Sequence, residues 1–144
     1  MIGRTKPFSK ELHRRNDPKS RQIVKDYLKK NGIIIEDNKN RFGVDLISAD
    51  NTLQVEVEHR LSWKGDEFPF DDVNIPERKG KFFKDGKVQY FILSKDYSHL
   101  GIIDGKTLKP FIDDAYLKES SNKHMRHNEF FFKIPKDKFK WVKL

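Results

Sequence analysis

The chain contains no cysteine among its 144 residues. Disulfides, thiolate metal sites and a cysteine nucleophile are therefore excluded. Long apolar runs are missing too: no 18-residue apolar stretch is present to cross a bilayer, and the first residues lack the apolar centre of a secretory signal. This pattern predicts a soluble intracellular protein, cytoplasmic and without a membrane partner. Neither a phosphate-cradling P-loop nor a Rossmann glycine fingerprint occurs, so nucleotide hydrolysis has no support. No repeat or low-complexity tract points to a scaffold.

What the chain has in quantity is positive charge. Thirty Lys and Arg stand against 22 Asp and Glu, giving a net charge of +8 and a pI near 9.6. A polyanionic partner follows, because Lys and Arg on phosphates release condensed counterions; a charge of this size also serves solubility. Residues 1–16 carry Arg4, Lys6, Lys10, Arg14 and Arg15 against only Glu11. They read as a basic N-terminal arm, with a solvated, frayed terminus as the plainer alternative. A chain of this length is expected to form a single domain, 1–144, around one core.

Element signals follow in order. Asp17-Pro18 has helix-start chemistry, Ile23, Val24, Tyr27 and Leu28 form an apolar stripe, and Asn31-Gly32 has helix-stop chemistry. Ile33 to Glu36 reads as a strand. Gly43-Val44-Asp45-Leu46 and Leu53 to Arg60 read as two more, joined through Ala49-Asp50-Asn51-Thr52. A two-residue loop at Asp50-Asn51 would pair Ala49 with Thr52 and so set Asp45 directly opposite Glu56. Like charges facing each other destabilise a sheet, so Asp45 against Glu56, with Glu58 next along the same face, implies a cation to hold. The plain alternative is a half-exposed strand, with Leu53, Val55, Val57 and Leu61 toward a core and Gln54, Glu56, Glu58 and Arg60 toward water. A short helix is expected from Pro76, and Val88 to Leu93 is apolar enough for a strand buried on both faces.

The order helix, three strands, helix, strand, with Asp45 on the second strand and Glu56-x-Glu58 on the third, resembles the PD-(D/E)XK nuclease superfamily over residues 17–94. The resemblance implies an α/β fold with an αβββαβ restriction-endonuclease-like core, a central mixed sheet flanked by helices and, here, a C-terminal β-rich extension. It implies Asp45 and Glu56 as metal ligands, joined by Glu58, which stands where the family lysine usually stands. Mg²⁺ is the implied cofactor, with Mn²⁺ substituting. The implied activity is hydrolysis of DNA phosphodiester bonds to 5′-phosphate and 3′-hydroxyl ends. RNA is the alternative polyanion, and a homodimer is one route to cutting both strands. Arg60 either neutralises the transition state or balances Glu58 in a salt bridge. The competing class is a nucleic-acid-binding or inhibitory protein on a degenerate, non-catalytic nuclease fold.

Residues 62–73 place Trp63, Phe68 and Phe70 among Lys64 and several acids just beyond the proposed catalytic strand. These aromatics stack on bases or cap the core. Arg78, Lys79 and Lys81 on the expected helix join Arg4, Lys6, Arg14, Arg15, Trp63 and Lys64 as candidate nucleic-acid contacts, and Lys79 or Lys81 could replace the missing strand lysine; surface lysine is the plainer reading. Further on, residues 99–104 and 107–111 read as a hairpin around Asp104-Gly105, Asp113 to Lys118 as a short helix, and 129–134 and 139–144 as strands. His124-Met125-Arg126-His127-Asn128 lacks a partner cluster for a histidine metal site.

Overall fold

The computed structural model describes the backbone of residues 5–40, 43–120 and 129–144, and the side chains of 18–40, 43–119 and 129–144. Helix α1 spans Thr5–Lys30 and is followed by β1 (Glu36–Asp37), β2 (Leu46–Ile47), β3 (Gln54–Arg60) and β4 (Asp72–Pro76). A 3₁₀ turn at Glu77–Phe82 leads to β5 (Val88–Ser94) and β6 (His99–Ile103). Then come α2 (Gly105–Leu108), β7 (Leu117–Ser120), β8 (Glu129–Pro135) and β9 (Lys140–Lys143).

Helix α1 passes through Asp17-Pro18 instead of starting there. Proline's fixed φ is helical, and its missing N–H removes one backbone bond without ending the helix here. Lys6, Arg14 and Arg15 therefore sit on helical backbone, not on a separate arm, while Arg4 lies outside the described residues. Val24 and Leu28 are buried, with Ile23 and Tyr27 packed beside them, as the 3.6-residue period requires. Asn31 and Gly32 end the helix by bonding back to Leu28 and Lys29, and Gly32 takes the left-handed φ of +80° that glycine adopts without strain.

Six strands form one mixed sheet in the order β1-β2-β3-β5-β6-β9, with β5 parallel to β3 and the other neighbours antiparallel. A second, antiparallel sheet has the order β4-β8-β7. The described residues thus form a mixed α/β fold with helical elements flanking strand-rich sheets. One face of the large sheet packs on α1 through Leu46, Val55, Val57, Phe91, Leu93 and Leu100. The other meets the small sheet over Tyr90, Ile92, Ile103, Ile75, Phe132 and Ile134. Residues 88–94 are accordingly buried on both faces, as their apolar run requires.

The β2–β3 register pairs Leu46 with Val55, and its continuation sets Asp45 against Glu56 as expected. The loop differs. Ser48 donates to the Leu53 carbonyl and accepts from Asn51, so residues 49–52 form a four-residue connection with Asn51 at φ +64°. Asp50 stabilises it by accepting from Ser48 and Thr52, which holds its carboxyl at about 2.

Other expectations need correction. The first strand is Glu36–Asp37, and of the three isoleucines before it only Ile35 is buried. Leu61 is exposed rather than core, because β3 ends at Arg60 and the chain turns away. In place of a helix from Pro76 there is strand β4 followed by the 3₁₀ turn. Asp104 does not turn a hairpin; its carboxylate caps α2 by accepting from the Thr107 amide at 2.8 Å. The expected helix at 113–118 is a single 3₁₀ turn, Asp114–Tyr116, that runs into β7. Residues 124–128 lie outside the described residues. Among the described residues no helix is long and apolar enough to cross a membrane.

Trp63, expected among the nucleic-acid contacts, is 1% exposed. Its ring packs edge-on against Phe68 and Trp141 at 5.5 and 5.3 Å, and its indole N–H donates to the Asp66 carbonyl. Trp63→Ala should therefore lower unfolding free energy by about 3–5 kcal/mol, the usual cost of emptying an aromatic core site. Phe70→Ala in the same loop, at a half-exposed ring, should cost about 1 kcal/mol or less. Urea unfolding of the two variants checks the contrast, and equal losses would overturn this packing argument.

Candidate active site

Alternate residues of β3 point to the space between the two sheets, so Glu56, Glu58 and Arg60 form a polar row inside a sandwich. The small sheet covers this face, which on sequence grounds looked toward water. Glu56 is 5% exposed. Its Oε2 pairs with Lys79 Nζ at 3.2 Å, while Oε1 is buried without a hydrogen-bond partner among the described residues. Asp45, half-buried just before β2, accepts the Val57 amide on Oδ2 at 2.8 Å and lies close enough to raise the pKa of Glu56.

Lys79 is the residue that sequence reasoning placed on the surface and the fold places inside, 6% exposed. The cause is the 3₁₀ turn that brings it in. Gly80 lies so near β8 that a Cβ would meet the Phe132 ring at 2.9 Å, and this close approach seats the turn on the sheet with Lys79 facing inward. Arg78 and Lys81 remain exposed, as does Lys64.

Glu58 is occupied differently. It accepts a very short hydrogen bond from the Tyr90 hydroxyl and pairs with Arg60 Nη2 at 3.3 Å. Arg60 Nη2 also donates to the Tyr90 hydroxyl at 2.7 Å and to the Asn74 carbonyl, which ties β3 to β4. The salt-bridge alternative for Arg60 is thus the observed contact. Gly43, which as a strand residue would leave room opposite Glu58, instead faces Asn38, whose amide nitrogen is 2.7 Å from where a Cβ would stand.

Charge states follow from these neighbours. Burial raises Glu56 most; Lys79 opposes it, Asp45 and Glu58 add to it, and the carboxyl is pushed up to about 7. For Lys79 burial works downward, but Glu58, Glu56 and Asp45 outweigh it and hold the ammonium protonated. Burial likewise raises Glu58, yet Arg60, Lys79 and the Tyr90 hydroxyl together bring it below the ordinary value. Tyr90, raised far above its ordinary value chiefly by burial, stays a donor.

Among the described residues no three His, Cys, Asp or Glu side chains converge as a ready cation cage. Asp45 and Glu56 remain a two-carboxylate set, and the orphaned Glu56 Oε1 is an acceptor that a cation or a proton would satisfy. Such a set fits Mg²⁺, which is commonly held through one or two carboxylates with water and phosphate completing its shell. Glu58 fits less well, since its ring of partners already balances it. No family model matches the chain, and no curated protein matches it either.

Glu56 binds its proton more tightly in the folded state, at about 7, than at the ordinary value of 4.5. The folded protein therefore holds more protons between these values, so this contribution to stability is complete below pH 4.5 and is lost as the pH rises through 7. The loss is on the order of 3 kcal/mol. Glu56→Gln should flatten the dependence between pH 5 and 8 relative to wild type, as measured by urea unfolding in chelator. Parallel curves for the two proteins would mean that Glu56 is ionised throughout.

Proposed function

We propose that the chain is a metal-dependent endonuclease that hydrolyses DNA phosphodiester bonds on a PD-(D/E)XK-like core. The observation that carries this reading is the buried meeting of Asp45, Glu56 and Lys79: two carboxylates from adjacent strands and an ammonium supplied from outside the strand that lacks it. The order of helix, three strands and a further strand parallel to the third supports the reading. The departure is the connection from β3 to β5, which is a strand and a 3₁₀ turn where the resemblance implies a helix.

In this reading Asp45 and Glu56 would hold Mg²⁺ or Mn²⁺. When bound, the cation supplies Lewis acidity toward the phosphoryl oxygen and the attacking water. Lys79, kept protonated by the carboxylates around it, presents positive charge where negative charge develops on a transferring phosphoryl group. Glu56, titrating near neutrality, is poised to accept a proton at Oε1. Glu58 and Tyr90 hold Arg60 rigidly at the end of the row. Exposed Arg78 and Lys81 serve phosphate contact in place of Lys79.

A second reading, a nucleic-acid-binding or inhibitory protein that has lost chemistry, is favoured by the direct Lys79–Glu56 contact, which uses a lone pair that a cation would need. Calorimetric titration with Mn²⁺ separates the two, since the first requires binding that Asp45→Asn abolishes.

Asp45→Asn, Glu56→Gln and Lys79→Met should each lower Mg²⁺-dependent cleavage of a mixed DNA panel by about 100-fold or more, the usual cost of removing one preorganised electrostatic group. An RNA panel run alongside decides between the two polyanions. Wild-type rates in all three variants would remove the nuclease assignment from this site. Arg78→Gln with Lys81→Gln should reduce the slope of log affinity against log salt on duplex DNA by about two units, while Lys79→Met leaves it unchanged, because a buried ammonium releases no counterion.

A further inference from the structure

Beyond the Arg60 end of the polar row lies a cleft of about 300 Å³ lined by Arg60, Phe70, Asp71, Asp72, Asn74 and Lys133. Its charges balance, two cations facing two carboxylates, so a bare phosphate gains no net attraction there. The lining suits a neutral, flat group that both donates and accepts hydrogen bonds. Phe70 supplies the flat face: its ring is 50% exposed and is braced edge-on by buried Phe68 at 5.7 Å. Arg60 supplies fixed donors. All its contacts leave from Nη2, and none leaves from Nη1. Asp72 supplies acceptors and Lys133 a second donor. The volume is at the small end of ligand sites, the size for a single heterocycle.

We propose that this cleft takes one unpaired nucleobase of a DNA strand, with the base stacked on Phe70 and its edge read by Arg60 and Asp72. The proposal rests on the nuclease reading and narrows its substrate to DNA with unpaired bases. Four residues of β3 separate Arg60 from Glu56, a span of about 13 Å along the strand. The docked base therefore belongs to a nucleotide near the scissile phosphate. An intact duplex cannot supply it without unpairing and unstacking, which costs a few kcal/mol; single strands, flaps and branch points present it ready.

The test is equilibrium binding of the full chain, in chelator so that nothing is cut, to labelled single-stranded DNA, the same strand carrying abasic sites, and its duplex. Wild type should prefer the normal single strand, and both the abasic strand and Phe70→Ala should weaken that binding by about 5- to 100-fold, the range for loss of one stacked base. Phe70→Trp should restore it, and duplex affinity should not change. Melting of the Phe70 variants checks that they are folded. Equal affinity for strand and duplex, or no response to Phe70→Ala and abasic sites, overturns the base pocket. If Asp45-dependent cleavage persists in that case, the nuclease reading survives alone. Absence of both binding and cleavage removes both.

Discussion

A charge taken from water into the space between two sheets must find its opposite there, and the Lys79–Glu56 pair is where this fold meets that demand. The effective cost of burying either ion alone is several kcal/mol, and the mutual attraction offsets it only when geometry is tight. A separation of 3.2 Å with one carboxylate oxygen left over meets the condition only in part. The residue of that imbalance is visible in Glu56, whose proton affinity rises toward neutrality. The same constraint fixes other parts. Lys79 must be delivered, so the 3₁₀ turn must lie flat on β8, so residue 80 must be glycine. Asp45 must stay near, so it is tethered to the Val57 amide.

Two devices hold charge on one strand, and they differ in what they leave available. Glu58, Tyr90 and Arg60 form a closed set in which each group answers the next, and such a set fixes geometry without offering a ligand position. Glu56 and Lys79 are left with an unused acceptor and sit beside a second carboxylate. That asymmetry argues for chemistry at the Asp45–Glu56 end and for positioning at the Arg60 end. A fully structural polar row would satisfy Oε1 as well, because a buried orphan costs about 1–3 kcal/mol that selection for stability alone would remove.

The large sheet was legible because local patterning decides it. The apolar stripe at Ile23, Val24, Tyr27 and Leu28 has one amphipathic solution, and alternation in Leu53 to Arg60 leaves one register against Leu46 that buries Val55 and Val57. Even a loop of the wrong length kept that register, since pairing 48 with 53 and pairing 49 with 52 lie on the same ladder. The small sheet was not legible. Strand β4 finds its partner in β8, about sixty residues on, and no local period announces so distant a pairing. Asp104-Gly105 shows the ambiguity of turn residues, since aspartate serves a hairpin and a helix cap equally.

Missing the small sheet had one consequence for the site. Alternation identifies which residues share a face of β3, but whether that face meets water or a second layer depends on elements elsewhere in the chain. Read as open, the face made Lys79 a surface base and three carboxylates a bare cation trap. Covered by β4 and β8, it becomes a low-dielectric interior in which one lysine is drawn inward and one glutamate is claimed by a tyrosine and an arginine. The aromatic loop is re-sorted by the same covering: Trp63 and Phe68 close the edge of the sandwich, and Phe70, one alternation further along, is left facing solvent beside Arg60. Interior and exposed roles in this loop are therefore set by where the second sheet ends, a boundary carried by β8 and not by the loop's own residues.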